Sequence, residues 1–187
     1  IYHPTNDGHK IMADCIKHLY ETVNREEIAR NDLSLCVEPV YGVRFKDIIR
    51  FDRHDAEQFA KITTCGFDKT DQEIQWVERN MDLELSPVFI DNWKNDGCED
   101  AMFTMELCCK KLLVVMKDSG DASFGKADVF VDGKFVKTLD PLVVGWNHST
   151  ALILVDECES EQHEICFKMH PGDEHKCFTI QGFGVIQ

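Results

Sequence analysis

No run of apolar residues in the 187-residue sequence approaches the roughly 20 needed to cross a bilayer as a helix. No basic segment followed by an apolar core marks a signal peptide, and the chain opens on Ile1 rather than Met. Positive charge is scarce: 20 Lys and Arg stand against 34 Asp and Glu, for a net charge of -14. Such a surface repels phosphate backbones and anionic headgroups, so nucleic acid and membrane surfaces are excluded as partners and neutral ligands such as sugars stay open. The nine cysteines form no CxxC pair and no even framework in a small loop-rich fold. Several, such as Cys15 and Cys166, sit among apolar neighbours, where free cysteine packs as a small hydrophobe. This usage predicts a reduced, cytoplasmic protein.

What is present divides the sequence in two. The segment PTNDGHKIMADCIKHLYETVNREE carries Met12, Cys15, Ile16, Leu19 and Val23 at three- and four-residue spacing, one apolar stripe along a helix. Thr5, Asn6 and Asp7 are the candidate caps. Residues 26 to about 60 read as a connector that ends in a first strand or short helix. From about residue 62 the pattern is β. KADVFV alternates, Asp132-Gly133 is a two-residue hairpin turn, and FVKTLD returns. LLVVMK, ALILVD, HEICFKM and FTIQGFGVI are further strands, and EIQWVERN and DLELSPVFI two more candidates. The apolar phase slips around Cys108 to Lys111, which predicts a turn or bulge. The predicted architecture is mainly β, a β-sandwich or jelly roll preceded by one amphipathic helix. Its predicted parts are 1–28 (loop and helix), 29–60 (connector) and 61–187 (sandwich).

The opening IYHPTNDGHKIMAD resembles the last conserved block of the SGNH (GDSL) hydrolases, in which Asp-x-x-His continues as His-Pro-x-x-x-Gly-His into a helix. His3, Pro4, Gly8, His9 and Ala13 match that continuation, and His3 falls on the family's catalytic histidine. Pro4 restricts His3 to an extended conformation just before the helix, which suits a rigidly held general base. The resemblance implies a serine esterase whose triad histidine is His3. The block's aspartate would precede Ile1, and the family's Gly-Asp-Ser and oxyanion blocks do not occur in the sequence. Its nearest imitation, Asp118-Ser119-Gly120-Asp121, follows the histidine instead of preceding it. The expectation is therefore a C-terminal part of such an esterase, inactive alone and partnered by an N-terminal catalytic domain. More loosely, GKADVFVDGKFVKTLD, GWN and KCFTIQGFGVI are similar to sandwich modules attached to polysaccharide-active esterases.

For the sandwich two functions compete: glycan binding, or a structural and protein-interaction role that buttresses the catalytic domain. Trp93 in FIDNWKNDG and Trp146 in VVGWNHS lie in polar, loop-like contexts and are the candidate sugar-stacking residues, whereas Trp76 reads as core. No cofactor is implied. His163, Cys166, His170, His175 and Cys177 do not make a zinc site. On a strand the first two face opposite ways, and Cys166 would lie ~13 Å from His170 at ~3.3 Å per residue. The acidic stretch DNWKNDGCED has the oxygen ligands for structural calcium, but charge runs are more often solvated, and no metal is predicted.

Overall fold

The computed structural model describes residues 4–25, 42–73 and 89–187. The chain divides into two compact units, Ile1–Arg44 and Phe45–Gln187. His3, Trp76 and most of the strand candidates EIQWVERN and DLELSPVFI lie outside the described residues.

In the first unit, α1 spans Asn6–Arg25. Thr5 is its cap: its hydroxyl oxygen accepts the Gly8 N–H at 3.2 Å. The predicted stripe forms, but none of its residues is buried; Met12, Ile16, Leu19 and Val23 all stay exposed.

The second unit is a β-sandwich of eight antiparallel strands among the described residues: β1 Ile49–Phe51, β2 Lys61–Cys65, β3 Trp93–Asp96, β4 Met102–Asp118, β5 Ala127–Val131, β6 Lys134–Leu139, β7 His148–Met169 and β8 Cys177–Ile186. Residues 45–60, which the sequence suggests are a connector, contribute β1 and a single 3-10 turn, Ala56–Gln58, to this unit.

Two long strands serve both layers. The first half of β4 pairs with β2 and with the second half of β7, which in turn pairs with β5, and β5 with β6. The second half of β4 pairs with the first half of β7 and with β8, and β8 carries β3 and β1 on its other side. The register breaks between Cys109 and Lys111, where the sequence phase slips, and again between Leu112 and Leu113. Before the break Phe103, Met105, Leu107 and Cys109 are buried; after it Leu112, Val114 and Met116 are. The slip keeps the apolar side of β4 on the core as the strand bends from one layer into the other. ALILVD and HEICFKM, which read as two strands, are accordingly one 22-residue β7.

Aromatic side chains close the core across the layers. Phe103 meets Phe183 at 5.8 Å and Trp93 at 5.2 Å between ring centroids, and Phe51 stacks on Phe183 at 5.4 Å. On the other side of β4 and β8, Lys117 and Asp71 form a buried pair at 2.9 Å. Asp71 also accepts from the Thr179 hydroxyl at 2.8 Å and the Glu73 N–H at 2.9 Å. Burial pushes the Asp71 carboxyl up, but these donors and the Lys117 charge outweigh it and hold the group below the usual carboxylate range. The described cysteines are all free thiols.

Candidate functional site

The connection from β6 to β7, residues 140–147, exposes Leu142, Val143 and Trp146, and hydrogen bonds fix it. The Leu142 N–H donates to the Asp140 carboxylate at 3.0 Å, and the Pro141 carbonyl accepts the Ser119 N–H at 2.7 Å. The Asn147 amide donates to the Glu73 carbonyl at 3.0 Å. Gly120 permits the contact between this loop and the β4–β5 turn, because a Cβ there would collide with the carbonyl oxygen of Gly145. Leu142, Val143 and Trp146 project from the anchored loop, Trp146 with 55% of its surface exposed.

Beside the loop lies a cavity of about 290 Å³. Asp118, Thr150 and Leu152 line one side, Lys137 to Leu139 of β6 and Asp140 the other, and Val143 and Val144 also contribute. Asp118 is buried and accepts from the Thr150 hydroxyl and from His148, whose Nδ1 lies 2.9 Å away. A carboxylate partner makes Nδ1 the donor of that ring. A second cavity, of about 510 Å³, continues along the same two strands between Lys134 to Val136 and Leu154 to Glu157.

The β5–β6 turn borders the second cavity. Asp132 (φ 51) and Gly133 (φ 74) both take the left-handed conformation that a tight hairpin turn requires, as the sequence predicts. The Asp132 carboxylate accepts the Glu164 N–H at 2.8 Å and faces His163 Nδ1 at 2.9 Å. Burial raises the Asp132 carboxyl; these two partners outweigh it and keep it below the ordinary range.

Trp93 departs from its predicted setting. It lies on β3 rather than in a loop and is 3% exposed, its ring packed against Phe103 and Phe183. The turn-forming residues around it mislead, because Trp93 and Asn95 alternate inward on a short strand. Its faces are taken by the core, so it is not available for stacking. Trp146 is exposed on the β6–β7 loop, and the two predicted tryptophans are not brought together. Phe135, 58% exposed on β6, is an aromatic residue at this surface that the sequence does not single out. The alternation of FVKTLD suggests one inward face, yet Lys134 to Lys137 are all exposed; among the described residues β6 pairs only with β5.

The acidic stretch 91–100 is committed to the fold. The side-chain oxygens of Asn92 and Asn95 accept the Asp71 and Cys98 N–H groups, each at 2.8 Å, and Asp96 pairs with Lys94 at 2.8 Å. Among the described residues no group of three or more His, Cys, Asp or Glu side chains is placed to hold a metal ion. Three His–Asp pairs occur, His148–Asp118, His163–Asp132 and His170–Asp128, and no serine hydroxyl hydrogen-bonds a histidine among the described residues. Ser119 is buried, and its hydroxyl oxygen accepts the Asp121 N–H at 3.1 Å. The imitation Gly-Asp-Ser motif is thus a turn.

No protein-family model matches the chain, and no curated protein sequence does. Solved structures share its fold. A two-domain esterase active on acetylated mannans superposes with a TM-score of 0.67 at 17% identity, covering 99% of this chain and 48% of that one. The same kind of esterase co-crystallised with mannopentaose gives 0.65, with the same coverage and identity. A family two carbohydrate esterase from Cellvibrio japonicus gives 0.50 at 11% identity over 74% of this chain and 33% of its own. The chain therefore spans about half the length, or less, of these structures, and at such identities the likeness is one of fold: a β-sandwich of the kind found in carbohydrate esterases.

Proposed function

We propose that this chain is the accessory part of a carbohydrate esterase of the SGNH type, that its β-sandwich binds a neutral glycan through Trp146, and that His3 is the triad histidine of the whole enzyme. The observation that carries the glycan reading is Trp146: an exposed ring on an anchored loop, beside a cavity lined by carboxylate, hydroxyl and amine groups. An aromatic face covers the apolar face of a pyranose while neighbouring polar groups take its hydroxyls. The fold shared with esterases that act on acetylated mannans supports the reading, and so does the net charge of -14, which disfavours polyanions. The exposed stripe of α1 supports its place in a catalytic domain, since burying each such side chain contributes on the order of 1.5–3 kcal/mol.

Affinity electrophoresis through mannan, xylan and glucan tests the proposal. Wild type is expected to be retarded by at least one of them, and Trp146→Ala to lose the retardation while keeping its fold. Trp93→Ala is expected to lose about 3–5 kcal/mol of stability instead. Migration unchanged by every polysaccharide would overturn the glycan reading in favour of a buttressing role.

A further inference from the structure

Five of the large apolar side chains that the described part of the sandwich exposes lie on two consecutive elements, whereas Ile49, Ile90 and Met102 lie elsewhere. Phe135 and Val136 on β6 and Leu142, Val143 and Trp146 on the following loop gather along one side of the fold. Among the described residues β6 pairs only with β5, and the first half of β7 only with β4. The two cavities lie end to end between these strand edges. One runs from Lys137 to Asp140 against Thr150 and Leu152, the other from Lys134 to Val136 against Leu154 to Glu157.

From this geometry we propose that the trough between β6 and the first half of β7 holds an extended neutral oligosaccharide, with Trp146 stacking near one end and Phe135 at the other. The proposal rests on the glycan reading above and adds the location, the length and a second stacking residue. Six residues of β6 at ~3.3 Å each make the trough ~20 Å long, a length that suits an oligosaccharide and exceeds a single sugar. Its floor, Leu152 and Leu154, is apolar, as ring faces require. Its walls set Lys134 and Lys137 against Asp118, Asp132, Asp140, Asp156 and Glu157, supplying a few donors and more acceptors. Hydroxyl groups, which both donate and accept, match such a lining better than an anion does. The competing occupant is a peptide strand added to the open edge of β6. Lys134 and Lys137 on that edge act against it, as edge lysines do.

Titration calorimetry with linear manno-, xylo- and gluco-oligosaccharides, from disaccharide to hexasaccharide, tests the trough. Affinity for the sugar that binds is expected to rise with chain length. Phe135→Ala and Trp146→Ala should each weaken the hexasaccharide by roughly tenfold. Met102→Ala, exposed on β4 outside the trough, should leave it unchanged. Because Phe135 also packs on Phe130 at 5.8 Å between centroids, Val136→Glu provides a second block that leaves that contact intact. If Trp146→Ala abolishes binding while Phe135→Ala and Val136→Glu do not, and length brings no gain, the trough is overturned and the glycan reading stands. If wild type binds none of the sugars, both fall.

Discussion

At the scale of single residues, the buried Asp71–Lys117 pair shows what the sandwich tolerates and what it does not. Both side chains are almost wholly removed from water, and each satisfies the other. Lys117→Met strands the Asp71 carboxylate and is expected to cost about 3–5 kcal/mol in urea unfolding, whereas Asp71→Asn with Lys117→Met should recover most of that loss. The pair also sets a pH dependence. The Asp71 carboxyl is held below its unfolded value, so its contribution is complete above about pH 4 and is lost as pH falls through the folded value. Wild type should therefore lose stability relative to Asp71→Asn on acidification below about pH 4, and urea midpoints at successive pH values would show it. Cys109 is the opposite kind of buried group. Burial, and then the neighbouring Cys108, push its thiol up to about 11, so little thiolate forms at neutral pH. Mass spectrometry after iodoacetamide treatment is expected to find Cys15, Cys65, Cys98 and Cys158 alkylated and Cys109 intact until the protein unfolds.

At the scale of elements, the β5–β6 hairpin is determined by its turn. Gly133 stands at φ 74 with nothing near a would-be Cβ, so Gly133→Ala introduces backbone strain and no clash. The expected loss is about 1–2 kcal/mol, read as a lower urea midpoint, while Gly133→Asn should be better tolerated. The turn, the alternation of β5 and the slip at Cys109 are all legible in sequence because each is a local stereochemical requirement. The partition of residues 148–169 is not. Four residues, Glu157 to Ser160, face Lys110 alone; this excess of three reads as a break between two strands, yet the pairing with β4 on either side holds β7 together. Trp93 fails for a related reason. Four residues bounded by turn formers resemble a loop unless the β8 partner that pairs with them is known.

At the scale of the whole molecule, the core that defines the sandwich draws on described residues from Phe51 to Val185. The His–Asp pairs serve the sandwich: His163 and His170 bond to Asp132 and Asp128, and His148 to Asp118, with no serine hydroxyl bonded to any of them among the described residues. The chain alone is accordingly expected to leave nitrophenyl acetate and butyrate at the background rate, since acyl transfer needs an activated nucleophile and an oxyanion site. Turnover well above background that disappears in His3→Ala or His148→Ala would overturn this expectation.

The mainly β character, the helix with its cap at Thr5, the hairpin turn and the position of the strand irregularity are properties of local sequence, because period, turn stereochemistry and phase act over a few residues. The resemblance that brings His3 forward is equally local, carried by a dozen residues. What the sequence leaves open is long-range. Which tryptophan is buried depends on strand pairing between residues 93–96 and 177–180. The exposure of Phe135 depends on which strands flank β6, among the described residues β5 alone. The trough depends on β6 and the first half of β7 ending up side by side in different layers. Alternation assigns each side chain to one face of its strand, but only the packing of layer on layer determines whether that face meets the core or water.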